Sequence, residues 1–144
     1  MKTRLACLLA TPLLALAAHA AHAADPVYIT LDHSSDGVID KASAQAVWNE
    51  LLAGKVVKLN KLYPTKRWGF VSEVEGGFNQ GKTCVVTARA MMMPVTVGKS
   101  LVFKPNRTAT AFDALPNATR EQCQDLAKAK LKEAASGVLS GLMQ

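Results

Sequence analysis

The stretch that decides the fold is residues 67–75, RWGFVSEVE, in which apolar side chains recur at every second position. Trp68, Phe70 and Val74 fall on one side of this segment, while Val71 and the two glutamates fall on the other. Because the side chains of a β-strand alternate between the two faces of a sheet, the pattern predicts a strand. We therefore expect a sheet at the centre of the molecule, with Trp68 and Phe70 in the core.

Three further segments show strand-like patterns at short intervals downstream, at residues 83–93, 100–104 and 108–112. Glycines between residues 76 and 81, and prolines at 94 and 105, mark the turns that separate them. Because short connections join antiparallel neighbours, we expect these strands to form an antiparallel meander. A β-branched segment at 27–31 predicts one more strand. The sheet then has four or five strands.

Two helical segments flank these strands. Asp40 is a suitable N-cap for a helix that begins near Lys41, and its apolar residues Val47, Trp48 and Leu51 share one side. Residues 55–63 fit either a continuation of that helix, which we favour, or a strand. At the other end, Thr119-Arg120-Glu121-Gln122 has the capping-box pattern that starts a C-terminal helix. The predicted fold is α+β: an antiparallel meander sheet flanked by an N-terminal and a C-terminal helix.

The first 24 residues have the layout of a secretory signal peptide. Lys2 and Arg4 precede an apolar stretch at 5–18, and small residues at 21–23 provide a cleavage site. The apolar stretch is too short for a transmembrane anchor, and no second long apolar run follows. We therefore expect cleavage of residues 1–24, one domain at 25–144, and a periplasmic or secreted protein without an anchor. The short, alanine-rich leader indicates a bacterial source.

Removal of the leader changes the cysteine count from three to two, which leaves Cys84 and Cys123. Two cysteines in an exported domain are typically bonded to each other. The bond would close a loop of about 40 residues and would stabilise the fold by roughly 3–4 kcal/mol in the loop-entropy model. Since Cys123 lies in the first turn of the C-terminal helix and Cys84 on a strand, the sequence predicts a disulfide that tethers this helix to the sheet.

A turn-rich segment at residues 32–40, DHSSDGVID, resembles the calcium loop of EF-hand proteins. Oxygen-bearing side chains stand where that loop supplies its ligands: Asp32, Ser34, Asp36 and Asp40. Gly37 stands where the loop bends sharply. The resemblance implies only a weak calcium site, because Ser43 replaces the bidentate glutamate at the last ligand position. The alternative is a turn whose carboxylates cap backbone amides and start the following helix.

The disulfide also predicts which side of the strand at 83–93 is not covered by the C-terminal helix. The residues that alternate away from Cys84 on this side are Val85, Thr87, Met91 and Met93. This side is unusually apolar, so either the first helix or a partner covers it. The methionines also offer thioether ligands for Cu(I), but His33, the one histidine beyond the leader, is distant in sequence. We expect no cofactor and interpret these residues as an interaction face.

Charge and motifs exclude several function classes. The net charge of +6 falls to about +4 without the leader. Residues 66–71 are similar to the aromatic strand motif of RNA-binding domains but lack its glycine, and export separates the protein from RNA, so we expect no nucleic acid partner. For catalysis, the sequence offers only paired glutamates at 73 and 75 and one histidine, which do not indicate an enzyme.

The sequence therefore predicts a small exported, non-enzymatic protein that binds a protein or another envelope component. The first alternative is an inhibitor or immunity-type protein that blocks an enzyme's active site, because a small disulfide-bonded domain is rigid. The second is a weak calcium-binding module. Neither the identity of the partner nor the oligomeric state follows from the sequence.

Overall fold

A computed structural model of the chain describes residues 26–144. The predicted signal peptide, residues 1–24, lies outside the described residues. In chain order the elements are β1 (Ile29–Asp32), α1 (Lys41–Leu52), α2 (Val56–Leu62), β2 (Trp68–Phe78), β3 (Cys84–Pro94), β4 (Arg107–Leu115) and α3 (Arg120–Leu142). The presence of three helices and four strands confirms the α+β class.

The four strands form one sheet in the order β1-β2-β3-β4. β2 and β3 pair antiparallel, with Trp68 opposite Pro94 and Phe78 opposite Cys84, and β3 and β4 also pair antiparallel. β1 instead pairs parallel to β2, so the sheet is mixed and the prediction of a purely antiparallel meander is wrong. The reason is the long connection between β1 and β2, whose two helices carry the chain back to the end of the sheet where β1 began.

The predicted N-terminal helix occupies a different place in the chain order. α1 begins at Lys41, as expected, and Asp40 caps it by accepting a hydrogen bond from the Ser43 backbone N–H at 2.7 Å. It lies between β1 and β2, so no helix precedes the sheet within residues 26–144. Gly54, with φ +70°, follows the end of α1, and α2 is a separate helix. Residues 56–62 are therefore helical rather than extended.

The strand predicted at 100–104 is absent from the described chain. Leu101 makes only an isolated bridge with Val95, and the Val102 backbone N–H donates to the Pro94 carbonyl at 2.9 Å. The segment therefore folds back over the end of β3 instead of extending the sheet. Leu101 packs there against Met91 and Met93, whereas Phe103, which shares its side in the predicted strand, is 66% exposed.

α1 and α3 cover one face of the sheet and form the main core with it. Phe70 of β2 is fully buried, and its ring stacks on Trp48 of α1 at 4.9 Å and meets Tyr28 edge-on at 5.1 Å. Small residues allow α3 to lie close to the strands. A Cβ placed at Gly137 would lie 3.1 Å from the Ala109 Cβ.

The predicted disulfide between Cys84 and Cys123 is confirmed, and it fastens the first turn of α3 to the start of β3. The predicted capping box is also present. The Thr119 hydroxyl accepts from the Gln122 backbone N–H, and the Gln122 side chain accepts from the Thr119 backbone N–H. The start of α3 is therefore fixed both covalently and by hydrogen bonds.

Candidate functional site

The face of the sheet that α1 and α3 do not cover, called the open face below, has a covered part and an exposed part. In the covered part Val71, Met91 and Met93 are buried beneath Leu101. In the exposed part Phe112 is 77% exposed and Val85 is 43% exposed. The strand register places Thr87 between Phe112 on β4 and Glu75 on β2.

A shallow groove of about 510 Å³ lies beside Val85, at the turn between β2 and β3. Glu75, Phe78 and Thr87 also line it, and it is called the hairpin groove below. Two glycines at 76 and 77 leave this space free of side chains. At Gly76, where φ is +153°, a Cβ would lie 2.1 Å from the Val85 carbonyl oxygen, so this position accepts only glycine.

The interaction face predicted from sequence is divided by this arrangement. Val85 and Thr87 are exposed and lie at the hairpin groove, whereas Met91 and Met93 are about 1% exposed and cannot touch a partner. Sequence reasoning missed Phe112. The available signal was that Phe112 is the one aromatic residue of β4 and follows a run of threonines and alanines at 108–111.

Charged side chains cross the middle of the open face. Arg89 Nη1 lies 3.3 Å from Glu73 Oε2, so Glu73 is held in an ion pair rather than placed as one half of a carboxylate pair with Glu75. On the covered face, at the outer edge of the sheet, Lys130 of α3 lies 3.2 Å from Asp113 of β4. A hydrogen bond from the Ala114 backbone N–H, together with Lys130, lowers the pKa of Asp113.

Side chains of the EF-hand-like segment form hydrogen bonds with other groups of the protein. Asp32 Oδ1 accepts from the hydroxyls of Ser34 at 2.6 Å and Ser72 at 2.7 Å, and the Ser34 oxygen accepts from the Val74 backbone N–H at 2.8 Å. This part of the loop therefore lies along β2. Asp32 Oδ2 is buried and has no hydrogen-bond partner within the described residues.

The remaining two predicted calcium ligands lie further along the same loop. Asp36 is exposed in a turn, and Asp40 caps α1 through the backbone and hydroxyl of Ser43. These two hydrogen bonds lower the pKa of Asp40. Within residues 26–144 no three His, Cys, Asp or Glu side chains are grouped so that they could hold a metal ion. His33 is exposed, and its backbone N–H donates to the Ser72 carbonyl.

The helices are too short or too polar to span a bilayer, a finding that applies to the part of the chain that the structure describes.

Comparisons with known proteins give no family for the chain: no protein-family model matches it, and no curated protein does. Several solved structures are similar over most of their length, among them a PelC dodecamer and a minor lipoprotein. The PelC dodecamer from Paraburkholderia phytofirmans is 11% identical, with a TM-score of 0.44, and the match covers 81% of this chain and 91% of that one. A minor lipoprotein from Acinetobacter baumannii is 12% identical, with a TM-score of 0.44, and the match covers 81% of this chain and 93% of that one.

Proposed function

We propose that this chain is a small exported protein without enzymatic activity that binds a protein partner in the cell envelope through the exposed part of its open face. Loss of residues 1–24 yields the mature form. The disulfide supports a compartment outside the cytosol, since such bonds persist in oxidising environments.

The exposure of Phe112 carries the proposal. Phe112 lies on a regular strand and is 77% exposed. A partner that covers this ring removes its apolar surface from water, which favours binding. Aromatic anchors of this kind contribute a large share of the binding energy at protein interfaces. Because a sheet holds the ring in place, binding costs little ordering of the backbone.

The chemistry around the ring defines the surface that fits it. Val85 and Phe78 supply the apolar side chains of the hairpin groove, and Glu75 contributes a carboxylate to its lining. Such a surface accepts an apolar side chain that is followed by a lysine or arginine. We therefore infer a folded protein partner that presents this pair of side chains.

Site-specific photo-crosslinking tests this proposal. A photoreactive amino acid at Thr87, in the middle of the open face, is expected to capture one protein from the envelope. The matched control places the same group at Ala129, which is exposed on α3 on the opposite side of the molecule. Phe112→Ser should weaken binding of the captured protein by about 10-fold or more, because interface aromatics often contribute over 1.4 kcal/mol.

Equal capture from Thr87 and Ala129, or full affinity of Phe112→Ser, would overturn the proposed binding face. If the captured partner is an enzyme that loses activity in the complex, the protein belongs to the inhibitor class that the sequence suggested as the first alternative.

A further inference from the structure

Basic residues are segregated in this chain. Residues 51–72 contain five lysines and arginines and no aspartate or glutamate, and residues 95–112 contain three and none. The eight cationic side chains are Lys55, Lys58, Lys61, Lys66, Arg67, Lys99, Lys104 and Arg107. None of them forms an ion pair with another residue of the described chain.

The fold brings both basic segments to one end of the sheet, called the basic end below. β2 begins at Trp68, which lies opposite the last residue of β3, Pro94. The Val95 backbone N–H donates to the Arg67 carbonyl at 2.8 Å, which joins the two segments directly. β4 starts at Arg107, opposite Met92, so the whole connection between β3 and β4 also lies at this end.

Among residues 26–144, acidic side chains lie elsewhere. Asp36 and Asp40 follow β1, and Glu121 lies in the first turn of α3, so these residues occupy the opposite end of the sheet. Three acids that lie between the two ends are held in ion pairs with neighbouring cations: Glu50 with Lys132, Glu73 with Arg89 and Glu133 with Lys130. Unpaired positive charge is therefore concentrated at the basic end, whereas at the opposite end these acids stand beside cations such as Lys41 and Lys82.

Large apolar side chains protrude among the cations of the basic end. Val97 is fully exposed, Phe103 is 66% exposed, and both lie in the connection that carries Lys99 and Lys104. Beside this connection lies a groove of about 530 Å³, lined by valines and Ile29 with Lys66 and Lys99. Apolar groups surrounded by cations match the boundary of a bilayer, where phosphates lie above acyl chains.

We propose that the basic end docks the protein onto the surface of an anionic lipid bilayer, with Val97 and Phe103 entering the acyl boundary and the surrounding lysines and arginines contacting lipid phosphates. Soluble polyanions would satisfy the cations, but they offer no apolar layer for the protruding side chains. This docking goes beyond the proposed partner binding. It places the hairpin groove at the far end of β2, whose 11 residues span about 30 Å.

Co-sedimentation of the purified protein with vesicles tests the docking. Binding is expected to vesicles that contain phosphatidylglycerol and not to vesicles of phosphatidylcholine alone, and salt should weaken it by screening. The double substitution Lys99→Glu with Lys104→Glu should reduce the affinity by about 10-fold or more. The matched control, Lys41→Glu with Lys82→Glu, makes the same charge change at the other end and should bind like the unmodified protein.

Lys82 and Lys99 form a suitable pair for this comparison because both have positive φ, at 56° and 62°. Insertion is tested separately with Val97→Ser and Phe103→Ser, which should each reduce vesicle binding while thermal unfolding stays unchanged. In Phe103→Trp, the added indole emission should shift to shorter wavelength with anionic vesicles, because the ring enters an apolar layer.

Equal binding to both kinds of vesicle, or an equal loss in the two double variants, would overturn the proposal. So would tight binding to a soluble anionic polysaccharide that depends on Lys99 and Lys104 but not on Val97 and Phe103, since the ligand would then be a polyanion. Phe112→Ser should retain vesicle binding, so failure of the partner proposal and failure of the docking proposal are distinguishable.

Discussion

The two faces of the sheet are formed by the same strands but differ in how deeply their side chains are buried. On the face that α1 and α3 cover, Phe70, Ala88 and Met92 are fully buried. On the open face the neighbouring residues Glu73 and Arg89 form a partly exposed ion pair, and beyond them apolar side chains are exposed. The difference shows that the free energy of folding comes mainly from one face, which leaves the exposed part of the other free to bind.

Two phenylalanines give the largest expected contrast between the faces. Phe70→Ala should lower the free energy of unfolding by about 3–5 kcal/mol, because it leaves a cavity between Trp48 and Tyr28. Phe112→Ala should change it by less than about 0.5 kcal/mol, because its ring is mostly exposed. Urea unfolding followed by circular dichroism measures both values. A large loss in Phe112→Ala would show that the ring is part of the fold.

Removal of the disulfide should cause the next largest loss of stability. The variant in which Cys84→Ala is combined with Cys123→Ala should lose about 2–4 kcal/mol of stability, since the crosslink fastens α3 to β3. The same loss is expected when the unmodified protein is unfolded under reducing conditions. If reduction leaves the urea midpoint unchanged, packing of α3 alone holds that helix in place.

A tyrosine on the covered side predicts loss of stability in alkali. Burial raises the pKa of Tyr28 from 10.0 to about 12, and its hydroxyl donates to the Tyr63 carbonyl at 2.5 Å. Because the pKa is higher in the folded state, this contribution is complete below pH 10 and is lost as the pH rises through about 12. Tyr28→Phe should cost about 0.5–1.5 kcal/mol at neutral pH and should flatten the alkaline decline.

Chemical denaturation of both proteins between neutral pH and pH 12 measures the difference. Tyr63→Phe is the matched control, because it removes a hydroxyl but keeps the backbone carbonyl that accepts the hydrogen bond. An unchanged alkaline decline in Tyr28→Phe would contradict the prediction.

A helix cap at the start of α1, on the covered face, predicts a smaller effect in acid. Hydrogen bonds from Ser43 hold the pKa of Asp40 below its usual value of 3.8, so its contribution is present above this pH and is lost as the pH falls through the lower folded value. Asp40→Ala should lower the Tm by a few degrees at neutral pH. Thermal unfolding should show that the difference disappears in strong acid.

Calcium should have the smallest effect. Asp32 and Asp40 already accept hydrogen bonds from neighbouring serines, so we expect no shift of the Tm when calcium is added. An increase in Tm that saturates with calcium and disappears in Asp36→Asn would contradict this expectation and would support the EF-hand-like loop, because ligands that bind the folded state raise its stability.

Features that depend on neighbouring residues were predictable from the sequence. The capping box at Thr119, the start of α1 at Lys41, and the alternation of β2 each depend on local chemistry, and the disulfide needed only the export signal and an even number of cysteines. These features define the covered face well.

Features that depend on distant parts of the chain were not predictable in the same way. The direction of β1 follows from a long helical connection, which constrains it less than a tight turn constrains β3. The alternation of Leu101 and Phe103 is as compatible with a strand as with the loop that covers Met91. The exposure of Phe112 depends on which side of β4 packs against α3 and on what covers the other side, which no local pattern encodes. For the candidate site, the sequence therefore predicted Val85 and Thr87 but not Phe112.

The crosslink between Cys84 and Cys123 encloses β3, β4 and the loop between them in a covalent ring. Exposed loops are preferred sites of proteolytic cleavage, and this loop carries exposed Lys99 and Lys104. A cut beside either residue would open the ring without separating the pieces. The nicked molecule would keep its size until it meets a reductant, so damage at this loop would not by itself release a fragment.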